Sequence, residues 1–436
     1  MNLVQRVMLE VASGTAGREG DLSMANPIEL REARARVLAL TEPSLDHENV
    51  PLAAALGRTL AESVSTDTPW PVTDRSAMDG FAFATGEDGL AAGQSIPVVG
   101  ESLAGKPFDG VLPDGKAIRI MTGAVVPEGA STVVPVEDTS GYEGELVTVN
   151  KDFLKDANIR RCGSELDANV EVLSDGRRVH AAEVGVLAVL GQHRVSVRRQ
   201  PKVFIVATGD EVVPVEQSPQ LHQVRESNSW ALAAQVQECG GVATRLGIAP
   251  DEKEGLRAVL VEALADADVV LTIGGISKGT HDLVHSTLAE LGVVTEFHGI
   301  KLKPGKPTYF GRRQNDGRTQ YVFGLPGNPA STFTVFDLLV RPMLSRWLGH
   351  QVGEWGVRLP LGDTTWKKNW RLQAVPAQLV PDAAGNLVAK LAKPSPSGDP
   401  FSLLFGSCYA LIPSEAKRDD CETIELAGGS RGPQLP

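Results

Sequence analysis

Residues 202–211 read KVFIVATGDE, a short apolar run that is followed by a glycine and two acidic residues. Residues 268–275 (DVVLTIGG) and residues 242–249 (VATRLGIA) are similarly short and apolar. Helical patterns lie between or after these runs, at residues 229–241, 253–267 and 281–292. Strands that alternate with helices at this length predict βαβ units and a parallel sheet. We therefore predict an α/β domain over residues 199–346, which is closed by a last helix over residues 329–349.

The segments on either side have different patterns. Residues 27–43, 52–64 and 180–191 have the apolar spacing that is typical of helices. Residues 65–167 carry short β segments between Gly, Pro and Asp turns, which predicts an antiparallel, loop-rich region. The stretch after residue 350 is β-rich again and reads as a small barrel or sandwich, whereas both ends of the chain read as tails.

The composition excludes several classes of protein. The chain of 436 residues has 42 Lys and Arg against 54 Asp and Glu, a net charge of −12. Proteins that bind nucleic acid normally have a basic excess, so nucleic acid is not an expected partner. No apolar run approaches the roughly 18–20 residues that a membrane helix needs. Four cysteines stand without the spacing of a metal site, which favours a cytoplasmic protein without disulfides.

Three loops follow the predicted strands, and ligands of open parallel sheets bind beyond the carboxyl ends of the strands. The loops are residues 207–211 (ATGDE), 274–282 (GGISKGTHD) and 324–329 (GLPGNP). Glycine-rich turns beside a hydroxyl at a helix start expose backbone N–H groups that suit a phosphate. Acidic side chains there can hold a divalent cation or accept hydrogen bonds from a heterocycle. The acidic residues are Asp210, Glu211 and Asp282, and the neighbouring lysines are Lys301, Lys303 and Lys306. This pattern predicts a site for a phosphorylated ligand and a metal.

Two further segments stand out, residues 74–82 (DRSAMDGFA) and residues 121–130 (MTGAVVPEGA). Neither matches a Walker A loop, a zinc motif or a nucleophile elbow, and by composition alone DRSAMDG reads as a turn before a strand. Together with ATGDEV, GGISKGTHD, KPGKP and GLPGNPAS, in this order, they resemble the MoeA and gephyrin E-domain family, the molybdopterin molybdotransferases. The resemblance covers residues 26–430.

This resemblance implies an elongated homodimer whose subunits are of the α/β plus β class, with four domains. The implied parts are a tail over 1–25, a discontinuous helical dimerisation domain over 26–64 and 168–198, a β-rich insertion domain over 65–167, a three-layer, MogA-like molybdopterin-binding α/β domain over 199–346, a small C-terminal β-barrel over 347–426 and a tail over 427–436.

The resemblance also implies an activity. Proteins of the family insert molybdenum from molybdate into adenylylated molybdopterin and release AMP with the help of a divalent metal, here expected to be Mg²⁺. Their active sites lie between the α/β domain of one subunit and the insertion domain of the other. Proteins of the molybdopterin pathway are then the expected partners, and the sequence leaves open whether the inserted metal is molybdenum or tungsten.

Site residues are carried over from the matching motifs. The implied catalytic residues are Asp79, Thr122, Glu211, Asp251, Asp282 and Lys303. Two of these, Glu211 and Asp282, would also position the metal. The implied substrate-binding residues are Gly274, Gly275, Ser277, Gly279, Lys301, Lys306, Pro326, Gly327, Asn328, Pro329 and Ser331.

Three positions depart from the family pattern and motivate an alternative. Glu165 replaces an aspartate of the Arg-rich motif, Thr280 replaces another aspartate, and Gly299 replaces a lysine for which Lys301 is the candidate substitute. Because an oxyanion contact would then be lost or moved, the alternative function is a gephyrin-like dimeric scaffold with reduced or no transferase activity. Such a scaffold would bind the cytoplasmic loop of a membrane receptor or a cytoskeletal cell-division protein, and two equivalent sites in a dimer would add avidity.

Overall fold

The structure, a computed structural model, describes residues 26–275, 283–362, 364–393 and 395–428. The chain divides into two compact units. One unit comprises residues 62–175 and 182–193, and the other comprises the segments before, between and after them. Each unit has its own sheets and its own hydrophobic core. The predicted domain boundaries inside these units stay predictions.

A six-stranded sheet forms the centre of the larger unit. Its strands, in spatial order, are Val242–Ala249, Lys202–Thr208, Val269–Ile273, Arg318–Leu325, Tyr309–Asn315 and Val294–His298. The first four strands are parallel, as predicted, and the last two pair antiparallel. The three strands predicted from the sequence all lie in the parallel part of the sheet. The parallel pairing does not extend to this edge, where a tight hairpin joins Tyr309–Asn315 to Arg318–Leu325.

Side-chain alternation along the strands produces three layers. Val203 and Ile205 face one core, which also contains the long helical segment 329–347, whereas Val206 faces a second core on the other side of the sheet. The helices of this region are Asn228–Glu238, Lys253–Asp266, Leu283–Glu290, Pro329–Val335 and Arg341–Trp347, and a π-helical turn Phe336–Val340 joins the last two. The predicted last helix is thus continuous, with one π-helical turn.

The N-terminal part of the larger unit confirms one predicted helix and contradicts another. Leu30–Leu40 is a helix whose Leu30, Val37 and Leu40 join the core of the α/β region. The predicted helix over 52–64 is wrong, because this stretch has one 3₁₀ turn, Leu52–Ala54, and then irregular backbone. Its backbone N–H groups bond outside the stretch, from Gly57 to the carbonyl of Val179 and from Leu60 to that of Arg177. Tertiary pairing here overrides a local helical pattern.

The region after residue 350 is a second six-stranded sheet, as its β-rich pattern predicted. Its strands are Leu302–Lys303, Arg358–Pro360, Leu372–Pro381, Leu387–Leu391, Cys408–Ile412 and Thr423–Gly428, with 3₁₀ turns Pro400–Phe405 and Arg418–Asp420. Two residues from the α/β region, Leu302 and Lys303, pair parallel with the start of the strand Leu372–Pro381. This ladder brings the C-terminal sheet next to the carboxyl edge of the central sheet.

The smaller unit contains a five-stranded sheet. Its strands, in spatial order, are Thr132–Pro135, Gly80–Phe83, Ala117–Ile120, Ser95–Ser102 and Leu146–Thr148. The prediction of an antiparallel region needs one correction, because Ser95–Ser102 pairs parallel with Ala117–Ile120. Each unit also contains two-stranded sheets. In the smaller unit these are Val64–Ser65 with Glu171–Leu173 and Arg75–Ser76 with Ile159–Arg160, and in the larger unit they are His47–Pro51 with Arg194–Arg198 and Val212–Val213 with Val224–Arg225. The remaining elements are the predicted helix Ala181–Val189 and the 3₁₀ turn Val136–Asp138.

Within the described ranges, no helix combines the length and the apolar character that a bilayer crossing requires.

Candidate active site

The three loops singled out in the sequence converge at one edge of the central sheet. Each one follows a parallel strand, and direct bonds fasten them together. Thr208 Oγ1 donates to the carbonyl of Ile273 at 2.9 Å, and the N–H of Gly274 donates to the carbonyl of Leu325 at 3.0 Å. The predicted meeting of these loops is therefore observed for the part of the chain that the structure describes.

The two positions after the strand Val269–Ile273 require glycine, both because of their backbone conformation and because a side chain there would clash with neighbouring atoms. Gly274 and Gly275 have φ angles of +81° and +67°, which L side chains rarely adopt. A Cβ on Gly274 would lie 2.9 Å from Thr208 Oγ1, and one on Gly275 would lie 2.5 Å from a methyl group of Val284. These two positions therefore contribute backbone and no side chain to the cavity described below.

The loop 324–329 is held from two sides by amide side chains. Asn228 Nδ2 donates to the carbonyl of Gly327 at 2.7 Å, and Asn328 Nδ2 donates to Ser397 Oγ at 2.9 Å. The N–H of Ala330 donates to the carbonyl of Ser397 at 3.1 Å. The first two residues of this helix therefore offer no free backbone N–H group, since Pro329 has none and the N–H of Ala330 is already used.

These loops line a cavity of about 1280 Å³ within the larger unit. The C-terminal sheet, Lys393 and the segment 395–402 form its other walls. The residues that were predicted from the sequence and that line it are Glu211, Asp251, Gly274, Gly275, Lys303, Lys306, Pro326, Gly327, Asn328, Pro329 and Ser331. This volume exceeds the roughly 300–1,000 Å³ that is usual for pockets that bind small molecules.

Several predicted residues are placed elsewhere. Ser277, Gly279, Thr280 and Asp282 lie outside the described residues. Lys301 is not among the described residues that line the cavity, and its Nζ lies 2.8 Å from a carboxylate oxygen of Glu29. Lys301 is therefore not among the cations that the described residues contribute to this cavity.

The basic residues that the C-terminal region contributes to the cavity were not predicted from the sequence. Lys367, Arg371 and Lys393 line the cavity, together with the hydroxyl residues Ser395 and Ser397. A signal was present in the cluster of residues 366–371 (WKKNWR), where three cations and two tryptophans stand together.

The cavity is basic although the chain is acidic. Its described lining includes six basic and three acidic side chains: Arg225, Lys303, Lys306, Lys367, Arg371 and Lys393 against Glu211, Glu226 and Asp251. Arg371 is partly desolvated by burial, which lowers its pKa, and its Nη1 donates to the carbonyl of Leu302 at 3.1 Å. Its Nε is buried without a hydrogen-bond partner among the described residues. Such a surface attracts an anionic ligand.

Metal binding was predicted for Glu211 and Asp282. Within the described ranges, no three or more His, Cys, Asp or Glu side chains are grouped so that they could hold a metal ion. Glu211 and Asp251 nevertheless line the same cavity. Mg²⁺ commonly binds through one or two carboxylates together with substrate phosphates and water, so a preformed cage is not required.

Asp79 and Thr122 lie in the smaller unit, where they form a local pair. Asp79 Oδ1 accepts hydrogen bonds from the Thr122 N–H at 2.6 Å and from Thr122 Oγ1 at 2.8 Å. These two bonds lower the pKa of the Asp79 carboxyl. The glycine of the Met-Asp-Gly sequence is needed because a Cβ on Gly80 would clash with the carbonyl oxygen of Val134. The geometry keeps an exposed carboxylate ionised and oriented.

Glu165, which departs from the family pattern, retains an ion pair. Its Oε1 accepts a hydrogen bond from Arg160 Nε at 2.9 Å. The adjacent Arg161 pairs with Asp74 and Asp156 instead. The longer acid at this position therefore still anchors one arginine of the Arg-rich motif.

Comparison with known proteins identifies the class of protein first. Residues 28–191 match the model of the MoeA N-terminal region (domains I and II), and residues 204–346 match that of a probable molybdopterin-binding domain. The protein thus combines two regions that belong to molybdenum-cofactor biosynthesis.

Relatives and solved structures are consistent with these matches. A molybdopterin molybdenumtransferase from Haemophilus influenzae is 31% identical over 83% of this chain and 84% of its own length. One from Bacillus subtilis is 32% identical over 75% of this chain and 76% of its own length. A crystal structure of the MoeA protein from Pyrococcus horikoshii superposes with a TM-score of 0.78 at 29% identity, covering 92% of this chain and all of that one. The chain belongs to the MoeA family, the molybdopterin molybdenumtransferases, and the family and fold class predicted from the motifs are confirmed.

Proposed function

We propose that this enzyme inserts molybdenum from molybdate into adenylylated molybdopterin and releases AMP, and that it does so in the cavity between the central and C-terminal sheets of the larger unit. The observation that carries the proposal is the excess of basic side chains around this cavity, in a chain whose net charge is −12. The relatives named above are transferases, so the comparisons do not favour the scaffolding alternative.

The basic residues would bind the anionic groups of both substrates. Lys303 and Lys306 come from the α/β region, and Arg371 and Lys393 come from the C-terminal region, so both regions contribute cations to the cavity. Molybdate and the phosphates of an adenylylated pterin are all anions, and charge-assisted hydrogen bonds to such oxygens are strong. Binding in one cavity would hold both substrates close together and so favour their reaction.

Glu211 and Asp251 would hold Mg²⁺ in the same cavity. Their carboxylate oxygens are the ligands that this ion prefers, and the phosphate oxygens of the substrate would complete its coordination. When bound, Mg²⁺ would neutralise charge on the phosphates as the bond between the adenylate and the pterin phosphate is broken. In that hydrolysis the oxygen of water adds to one phosphorus of the P–O–P linkage, and the bond from this phosphorus to the bridging oxygen breaks. AMP is released, and the second phosphate stays on the pterin.

The lysines give a direct test of the cavity. We expect Lys303→Ala and Lys306→Ala each to lower AMP release, in the presence of molybdate and Mg²⁺, by about tenfold or more, because each removes a charged contact to an anion. Lys301→Ala is the matched control, since Lys301 pairs with Glu29 and does not line the cavity. Equal losses in all three variants, or no loss in any, would contradict the proposed location.

We also propose that the active form is a homodimer in which each subunit contributes Asp79 and Thr122 to the site of its partner. The support is the resemblance of their motifs to the family, together with the exposed, ionised state of Asp79. Subunit mixing tests this idea. If Asp79→Ala and Lys303→Ala subunits exchange freely, half of the dimers are mixed, and each mixed dimer has one intact site out of two.

The mixture should then recover about a quarter of wild-type activity, although each variant alone should keep no more than about a tenth. Wild-type protein mixed with either variant controls for exchange. If exchange is complete and the mixture of the two variants stays inactive, both residues serve the same subunit or the dimer is not the active form.

A further inference from the structure

A half-exposed tryptophan lies beside the cavity and contacts two of its cations. Trp370 is 50% exposed. Lys306 Nζ lies 5.8 Å from the centroid of its ring, and Arg371 Cζ lies 5.3 Å from it. Both cations line the cavity, whereas Trp370 is not among the described lining residues. An open aromatic surface is thus placed directly next to the groups that would bind phosphate.

The other tryptophan of this segment, Trp366, has a hydrogen-bond partner within the protein. Trp366 is partly buried, and its indole N–H donates to the carbonyl of Ala416 at 3.1 Å. The side chain of Trp370, in contrast, has half of its large apolar surface exposed to water. The folded protein therefore gains only part of the stabilisation that full burial of an indole provides. An exposed indole beside cations is the combination by which proteins bind a base together with its phosphate.

We propose that Trp370 is a stacking platform for the purine ring of the adenylylated substrate and of the AMP that it releases, with the phosphate bound by Lys306 and Arg371. This proposal rests on the proposed function, because that function supplies the adenylate. The purine is favoured over the pterin because Trp370 is open to solvent, and AMP is the part of the substrate that departs into solvent.

Two ligands that differ only in the base separate stacking from phosphate binding. Full-length wild-type protein, Trp370→Ala and Trp370→Phe are titrated with AMP and with ribose 5-phosphate by calorimetry. Trp370→Ala should weaken AMP binding by about tenfold, since one base–aromatic stack contributes on that order, and should change ribose 5-phosphate binding less than about twofold. Trp370→Phe keeps a ring and should retain most of the AMP affinity.

Trp230 offers a matched control. It is 48% exposed and is covered by Arg245, whose Cζ lies 3.6 Å from its ring centroid. Neither residue is among the described residues that line the cavity, so Trp230→Ala should bind both ligands as the wild type does. AMP should also quench the fluorescence of the wild type more than that of Trp370→Phe.

Three outcomes would contradict the proposal that Trp370 stacks on the purine ring. If Trp370→Ala binds AMP as tightly as the wild type, the ring does not stack and only the phosphate site remains. If AMP and ribose 5-phosphate lose the same affinity, Trp370 merely orients Lys306 and Arg371. If the wild type binds neither ligand, the basic cavity is not a phosphate site, and the proposed function fails together with the platform.

Discussion

A buried carboxylate joins the C-terminal sheet to the long helical segment of the α/β region, and its removal should destabilise the larger unit. Asp337 lies in the π-helical turn, and its side chain is fully buried. It accepts hydrogen bonds from Gln235 Nε2 at 3.0 Å, from Arg341 Nε at 2.9 Å and from the hydroxyl of Tyr409 at 3.1 Å. Tyr409 belongs to the C-terminal sheet, and its burial raises the pKa of the hydroxyl well above its ordinary value. The hydroxyl therefore stays a donor.

Two substitutions in this network should lower the free energy of unfolding by different amounts. Tyr409→Phe keeps the ring and removes one hydrogen bond to a charged acceptor, so the free energy of unfolding should fall by about 1.5–3 kcal/mol. Asp337→Asn should lower it by about 3–5 kcal/mol, because the partly buried guanidinium of Arg341 loses its fully buried charged partner. Arg341 keeps a second, half-exposed partner, Glu238, at 3.3 Å, which places the expected loss near the lower end of that range.

Urea unfolding monitored by tryptophan fluorescence measures both losses, with a matched tyrosine as control. The hydroxyl of Tyr142 is buried without a hydrogen-bond partner in the described part of the chain. Tyr142→Phe should therefore change the free energy of unfolding by less than about 0.5 kcal/mol. The reasoning is refuted if Tyr409→Phe is as mild as Tyr142→Phe, or if Asp337→Asn costs less than Tyr409→Phe.

Three other changes test the site and the fold. Asp79→Asn should lower AMP release by about 100-fold with little change in melting temperature, because the bonds from Thr122 stabilise the ionised carboxylate; a large loss of stability would show a structural role. Gly275→Ala should lower the free energy of unfolding by about 1–3 kcal/mol, since its positive φ and the contact with Val284 both disfavour a methyl group, and an unchanged urea midpoint would contradict this. Burial and two arginines lower the pKa of His350, so just below pH 6.5 the unfolded chain binds a proton at this position and the folded chain does not. The free energy of unfolding should therefore fall as the pH drops below 6.5, and His350→Gln should weaken this pH dependence in urea titrations. An unchanged pH dependence in His350→Gln would refute the role of His350.

Local sequence rules succeeded where burial is continuous and failed where the backbone pairs at long range. The strand Lys202–Thr208 was predicted because its apolar side chains serve cores on both faces of the sheet. Residues 52–64 have an equally apolar pattern, but their N–H groups bond carbonyls of residues 177–179, more than 100 positions away. A periodicity argument includes no information about such partners, so it assigned the helix wrongly.

The same limit explains why half of the cavity escaped prediction. Three glycine-rich loops could be assigned to one edge because parallel strands end on the same side of a sheet. Lys367 and Arg371, in contrast, read as a solvated charge run until the strand register is known. They reach the cavity because Leu302 pairs with Leu372, which aligns the start of the C-terminal strand with the segment that carries Lys303. A change that shifts this two-residue ladder should therefore weaken anion binding from both walls at once, although it would remove no charged side chain.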